Sequence, residues 1–116
     1  MSEGISAFVI PAKDLAASKA LYTALLGAEP ESDAPYYVGW KVGGVDVGLD
    51  PNGHAQGMTG PVAYWEVDDI ETSITALVDA GGQLQRESRD VGGGKLIATV
   101  TDADGNVIGL SQTPAG

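Results

Sequence analysis

What most restricts the fold of this chain is an internal duplication. The run AFVIPAKDLAASKALYTALLG starts at Ala7, and VAYWEVDDIETSITALVDAGG starts at Val62. An offset of 55 residues brings Asp14 onto Asp69, Leu15 onto Ile70, Ser18 onto Ser73 and Gly27 onto Gly82. Repeats set the architecture before any local reading does, and two copies are too few for a solenoid. They suit one pseudo-symmetric domain.

Each copy reads as a strand, a cap and a helix. In the second, residues 62–67 are rich in aromatic and β-branched side chains, as a strand requires. Asp68 and Asp69 offer side-chain oxygens to the free N–H groups of a helix start, and Glu71 completes a capping box with Asp68. Ile70, Ile74, Leu77 and Val78 form one apolar stripe. Gly81 and Gly82 end the helix. In the first copy, residues 7–10 make the strand, Asp14 the cap, and Leu15, Ser18, Tyr22 and Leu25 one side of the helix.

The rest of each half is strand and turn. Residues 28–35 form a polar, Pro-containing connector and residues 36–42 a strand. Gly43-Gly44 is a hairpin turn signal, and residues 45–49 alternate, with Val45, Val47 and Leu49 on one face and Asp46 and Gly48 on the other. Residues 50–60 hold three Gly and a Pro and read as a linker. Strands follow at 83–89, 95–101 and 107–112, with turns at 90–94 and Asp104-Gly105 and a short tail at 113–116. The expected organisation is α+β, βαβββ twice: one domain over 1–116, with module one at 1–50, a linker at 51–60 and module two at 61–113.

Composition narrows the function. At 116 residues and 43% apolar the chain can bury a core as one domain. Its net charge of −10 argues against nucleic acid or an anionic membrane as partner. No run approaches the length of a membrane span, and MSEGIS lacks the basic and apolar regions of a signal peptide, so the cytoplasm is the expected compartment. With no Cys there is no disulfide and no thiolate.

Four features taken together, KDLAASKALYTALLG, VDDIETSITALVDAGG, the closing DADGNVIGL and the duplication, resemble the vicinal oxygen chelate superfamily over essentially the whole chain. That superfamily includes glyoxalase I, bleomycin resistance proteins and extradiol dioxygenases. The resemblance implies two βαβββ units, a curved sheet with helices on its outer face, and a concave cleft that often holds a divalent metal. Carried over position by position, the metal ligands fall on Ala7, Gly48, Val62 and Gly109. None of these offers an oxygen, nitrogen or sulfur donor, so no metal and no cofactor is expected.

Strand parity nominates what faces that cleft instead. If position 62 points inward, so do Tyr64 and Glu66. Ala7, Val9, Tyr37, Asp46, Val107, Gly109 and Ser111 follow by the same rule, while Val38, Trp40 and Val42 share a core face. Gly48 and Gly109 would leave room. The expected ligand-binding set is therefore Tyr37, Asp46, Gly48, Tyr64, Glu66, Gly109 and Ser111. Glu66 is the best catalytic candidate: a carboxylate in an apolar cleft can act as a base, or it can simply pair with Lys41 or Arg86. Tyr64 is either a hydrogen-bonding ligand contact or a packed aromatic.

Other signals are weaker. His54 is the only His and sits in the Gly-rich linker without a partner. GGGK at 92–95 lacks the spacing and helix of a phosphate loop. DADGN lacks the later ligands of a calcium loop, and Ser18, Ser73 and Ser111 have no nucleophile-elbow context. The resulting expectation is a metal-free protein that binds a small molecule and forms a homodimer. A lyase or dioxygenase with unusual metal ligands stands as the alternative, and a regulatory or structural module as a third reading.

Overall fold

The computed structural model describes residues 2–114, and side chains from residue 4 onward. The last two residues of the expected tail lie outside the described residues. In chain order the elements are β1 (Ser2–Pro11), α1 (Leu15–Leu26), β2 (Ser32–Ala34), β3 (Tyr37–Val42), β4 (Val45–Asp50), β5 (Val62–Val67), α2 (Ile70–Asp79), β6 (Gln83–Asp90), β7 (Leu96–Thr101) and β8 (Val107–Gln112). They fall into two compact units, one of residues 7–62 and one of residues 63–114 with residues 2–6. Each is α+β and runs strand, helix and three strands, as the duplication requires.

In the first unit the strands lie in the order β2-β3-β4-β1. β3 and β4 are antiparallel and joined at Gly43 and Gly44, whose φ values of 55° and 83° meet the demand of a tight hairpin for two left-handed residues. β1 pairs with β4 in parallel, Ala7 opposite Asp46 and Val9 opposite Gly48. Asp14 caps α1 by accepting from the Ala17 N–H at 3.0 Å, and Gly27 ends it at φ 69°. The helix covers Ile10, Val38, Trp40 and Leu49 with Leu15, Tyr22 and Leu26.

Several expectations change here. Leu25 is 73% exposed and Leu26 takes its inward place. At 100° per residue, Leu15, Tyr22 and Leu26 stay within about 20° of one line along the helix, whereas Leu25 is rotated about 80° away. The connector at 28–35 contains β2, which pairs Ser32 with Gly39 and Ala34 with Tyr37. Its Ser and Asp carry no β signal, because an edge strand this short is specified by its partner's backbone. Val42 is exposed rather than core. The linker holds one 3₁₀ turn, His54–Gln56, with His54 exposed.

In the second unit the order is β5-β8-β7-β6. β5 runs parallel to β8, Tyr64 opposite Gly109 and Glu66 opposite Ser111. α2 packs Ile70 and Ile74 against Val67, Ala98, Val100 and Leu110, with Leu77 partly buried beside them. Val78, at the edge of the stripe, is 43% exposed. The cap is Asp69, accepting from the Glu71 and Thr72 N–H groups at 3.1 and 3.2 Å. The expected box between Asp68 and Glu71 is absent. With Asp69 as cap, Glu71 stands one position short of where a side chain reaches back, and it accepts instead from the Ser88 hydroxyl. The left-handed residue after α2 is Gly81, φ 110°, not Gly82. Among the described residues no helix is long and apolar enough to cross a membrane.

Candidate functional site

Strand parity places the site residues. Because Val38, Trp40, Val47 and Leu49 pack under α1, Tyr37, Gly39, Asp46 and Gly48 share the opposite face of their unit. The Tyr37 ring lies forward along β3 over Gly39 and across onto Gly48. A Cβ built on Gly48 would stand 2.1 Å from the Tyr37 Oη and 2.6 Å from Cε1 and Cζ; one on Gly39 would stand 2.7 Å from Cε2. The phenol is pushed above its ordinary pKa, first by burial and then by the charges of Asp46 and Asp50, so Tyr37 stays neutral. Asp46 pairs with Lys41 at 3.1 Å.

The second unit reaches a similar arrangement from a different strand, since Tyr64 lies on β5 and Tyr37 on β3. Val67, Ile108 and Leu110 pack under α2, which leaves Tyr64, Glu66, Gly109 and Ser111 on the other face. The Tyr64 ring lies on Gly109, where a Cβ would stand 2.6 Å from Cδ2, 2.7 Å from Cγ and 2.9 Å from the Ala63 carbonyl oxygen. The room expected above Gly48 and Gly109 is therefore filled, in each unit, by a tyrosine from the same face. A glycine admits such a ring because it presents no Cβ.

Glu66 pairs with neither Lys41 nor Arg86. Its Oε1 accepts from Ser111 Oγ at 3.0 Å and its Oε2 from the Thr113 N–H at 2.8 Å. Ser111 in turn lies 2.7 Å from Ser6 Oγ. Both donors to Glu66 are neutral, and among the described residues it makes no ion pair. Ser6 and Thr113 went unnoticed in the sequence. Ser6 sits in the first strand with no motif around it, and Thr113 acts through its backbone.

The residues carried over as metal positions do not fit a metal. Ala7, Gly48, Val62 and Gly109 have no side-chain donor atoms, rings cover the two glycines, and the described residues contain no group of three His, Asp or Glu that could hold an ion. The remaining loops fold on themselves. Gly92, Gly93 and Gly94 all have positive φ in a turn closed from Val91 N to Lys95 O. Asp102 accepts from Asn106 Nδ2 and from the N–H groups of Asp104 and Asn106; the Asn106 bonds hold its carboxyl below the usual range. A groove of about 400 Å³ opens elsewhere, between α1 and β2, with Leu15, Ala34 and Val38 as walls and the Lys19–Asp33 pair at its edge. None of the seven residues expected to bind a ligand lines it.

Two βαβββ units, each with a helix on one face and a tyrosine-over-glycine pair on the other, define a class of α+β protein. Residues 4–110 match the model of the Glyoxalase/Bleomycin resistance protein/Dioxygenase superfamily, and the chain belongs to that superfamily. A search of curated protein sequences finds no match. Among solved structures, a glyoxalase/bleomycin resistance protein/dioxygenase superfamily member from Vibrio splendidus is 22% identical, with a TM-score of 0.70 over 94% of this chain and 97% of its own. A Streptomyces coelicolor methylmalonyl-CoA epimerase in complex with 2-nitronate-propionyl-CoA is 18% identical, TM-score 0.74, over 99% and 97%. A Legionella pneumophila structure described as an NAD-dependent benzaldehyde dehydrogenase is 15% identical, TM-score 0.72, over 93% and 98%. At these identities the likeness is one of fold.

Proposed function

We propose that this chain binds a small, partly apolar molecule, uncharged or cationic, without a metal, and that Tyr64, Glu66, Gly109 and Ser111 of the second unit form the site. Tyr37, Gly48 and Asp46 lie on the face away from the helix in the first. The observation that carries this reading is the pairing of a glycine with a tyrosine ring where the family's metal ligands would stand. An aromatic face replaces a donor set, and beside it stands a carboxylate that makes no ion pair among the described residues. Ligand sites are apolar walls with a few placed polar groups. An ammonium over a Tyr face gains about 0.5–2 kcal/mol, and a net charge of −10 disfavours anions. Asp46, already paired with Lys41, contributes less to that selection than Glu66 does.

In a thermal-shift screen, cationic aromatic compounds are expected to raise the melting temperature and organic anions to leave it unchanged. Glu66→Gln and Tyr64→Ala are each expected to reduce the response. Stabilisation by anions alone, or a response untouched by both substitutions, would refute the reading, as would about one Ni, Zn, Fe or Mn per chain in the purified protein or an activity abolished by chelation. The same reading places the chain in the cytoplasm as a homodimer, the commonest closed assembly. Light scattering at micromolar concentration is expected to give twice the chain mass; a monomer overturns the assembly. One observation favours turnover instead. Glu66 is fixed at both oxygens, as a positioned acid or base would be, and a lyase or dioxygenase reaction would then have to proceed through it.

A further inference from the structure

We infer that Ser6, Ser111 and Glu66 form a row of hydrogen bonds polarised in one direction, so that the site selects ligands that donate a hydrogen bond. The inference rests on the binding reading above and sharpens its ligand class from a cation to an N–H or O–H donor, a primary ammonium foremost.

The direction follows from counting protons. The Thr113 N–H can only donate, so the atom at Glu66 Oε2, 2.8 Å away, must be an acceptor. Ser111 is 1% exposed and has one proton to place. Three oxygens stand within reach: Glu66 Oε1 at 3.0 Å, the Trp65 carbonyl at 3.4 Å and Ser6 Oγ at 2.7 Å. An ionised carboxylate is the strongest acceptor of the three, so the Ser111 proton goes to Glu66. The 2.7 Å contact between the two hydroxyls must then be carried by the proton of Ser6. That contact is much shorter than the 3.3 Å from Ser6 Oγ to the Tyr64 carbonyl. Ser6, half-buried, is left presenting lone pairs alone. With the remaining lone pairs of Glu66 it makes a surface that accepts hydrogen bonds and offers none.

Charge and donation separate cleanly in two probes of similar size. Benzylamine carries a cationic N–H donor; benzyltrimethylammonium carries the charge with no donor. Calorimetric titration of the unmodified protein is expected to give benzylamine at least about fivefold tighter binding, the worth of one added hydrogen bond. In Ser6→Ala the gap should narrow, Glu66 alone remaining as acceptor, while the quaternary ion still binds. Glu66→Gln tests the direction itself. Thr113 pins the carboxamide oxygen at the Oε2 position, so the amide NH₂ must face Ser111. Both hydroxyls then reverse and Ser6 becomes a donor. Acetophenone, which only accepts, is expected to bind this variant more tightly than it binds the unmodified protein, with melting curves showing the variants folded. Equal affinity of the unmodified protein for the two cations overturns the polarised row and leaves the binding reading standing. A gap left unchanged by Ser6→Ala, or acetophenone binding unimproved by Glu66→Gln, also overturns it. If neither cation binds, the polarised row falls together with the cationic half of the binding reading.

Discussion

Gly109→Ala is expected to destabilise the protein by about 3 kcal/mol, near the upper end of ordinary overpacking. The new methyl carbon would stand 2.6 and 2.7 Å from Cδ2 and Cγ of Tyr64 and 2.9 Å from the Ala63 carbonyl oxygen. Cγ is the root of the ring, so rotating the phenol cannot clear it. The carbonyl belongs to β5, which is held to β8 with Tyr64 opposite Gly109. Gly48→Ala should cost less, about 1–2 kcal/mol, because the atoms it meets are Oη, Cε1 and Cζ of Tyr37, the swinging end of a side chain. Urea unfolding measures both. In a double-mutant cycle, Tyr64→Ala should recover much of the loss at Gly109, the residue of it belonging to the Ala63 carbonyl. A Gly109→Ala variant within about 0.5 kcal/mol of the parent, the range of an unremarkable surface change, would show that the ring does not lie where described. Any metal-ligating side chain at 109 begins with the same Cβ, so restoring a ligand there requires removing the ring first.

Trp40→Ala is expected to cost about 4 kcal/mol, as deletion of a buried aromatic does. Trp40 is 3% exposed in the core beneath α1. Its indole N–H donates to the Ala28 carbonyl at 2.9 Å, and its ring lies 6.3 Å from that of Tyr22 at 47°. Trp40→Phe keeps most of the apolar volume but strands that carbonyl, for about 1–2 kcal/mol. Unfolding followed by circular dichroism reads both, and fluorescence separates the two indoles, since Trp65 is 38% exposed. A loss in Trp40→Ala below about 2 kcal/mol, under the usual range for such deletions, would mean that this core is looser than its packing implies.

Much of this was written in local pattern. The aromatic and β-branched run at 62–67 predicts β5 to the residue, the last strand expected at 107–112 is β8, and Asp14 and Asp69 mark the two helix starts. The glycines at 43 and 44 mark a hairpin. These features depend on neighbours a few residues apart, where backbone sterics, side-chain spacing and capping decide the outcome. The duplication multiplied their weight, because a chain that repeats its pattern must repeat its unit. The same alternation sorted Tyr37, Asp46, Tyr64, Glu66 and Ser111 away from the helices. At Ala7, Gly48, Val62 and Gly109, the positions that the family resemblance nominates as metal ligands, the lack of side-chain donors was equally plain from residue identity.

What lies on those faces was decided only by tertiary register. Ser6 and Ser111 are 105 positions apart, and Glu66 and Thr113 are 47; no periodicity relates them. Glycine at 48 and 109 reads in sequence as empty space. In the folded units it is the condition for a ring to lie flat on the backbone, because parallel pairing of β5 with β8 sets Tyr64 opposite Gly109, and the β3–β4 hairpin brings Tyr37 over Gly48. Likewise β2 exists only because β3 offers it an edge. Local chemistry determines which residues form strands and helices and which face each presents. Which side chains touch on that face follows from strand pairing across the chain, and that is a property of the packed whole.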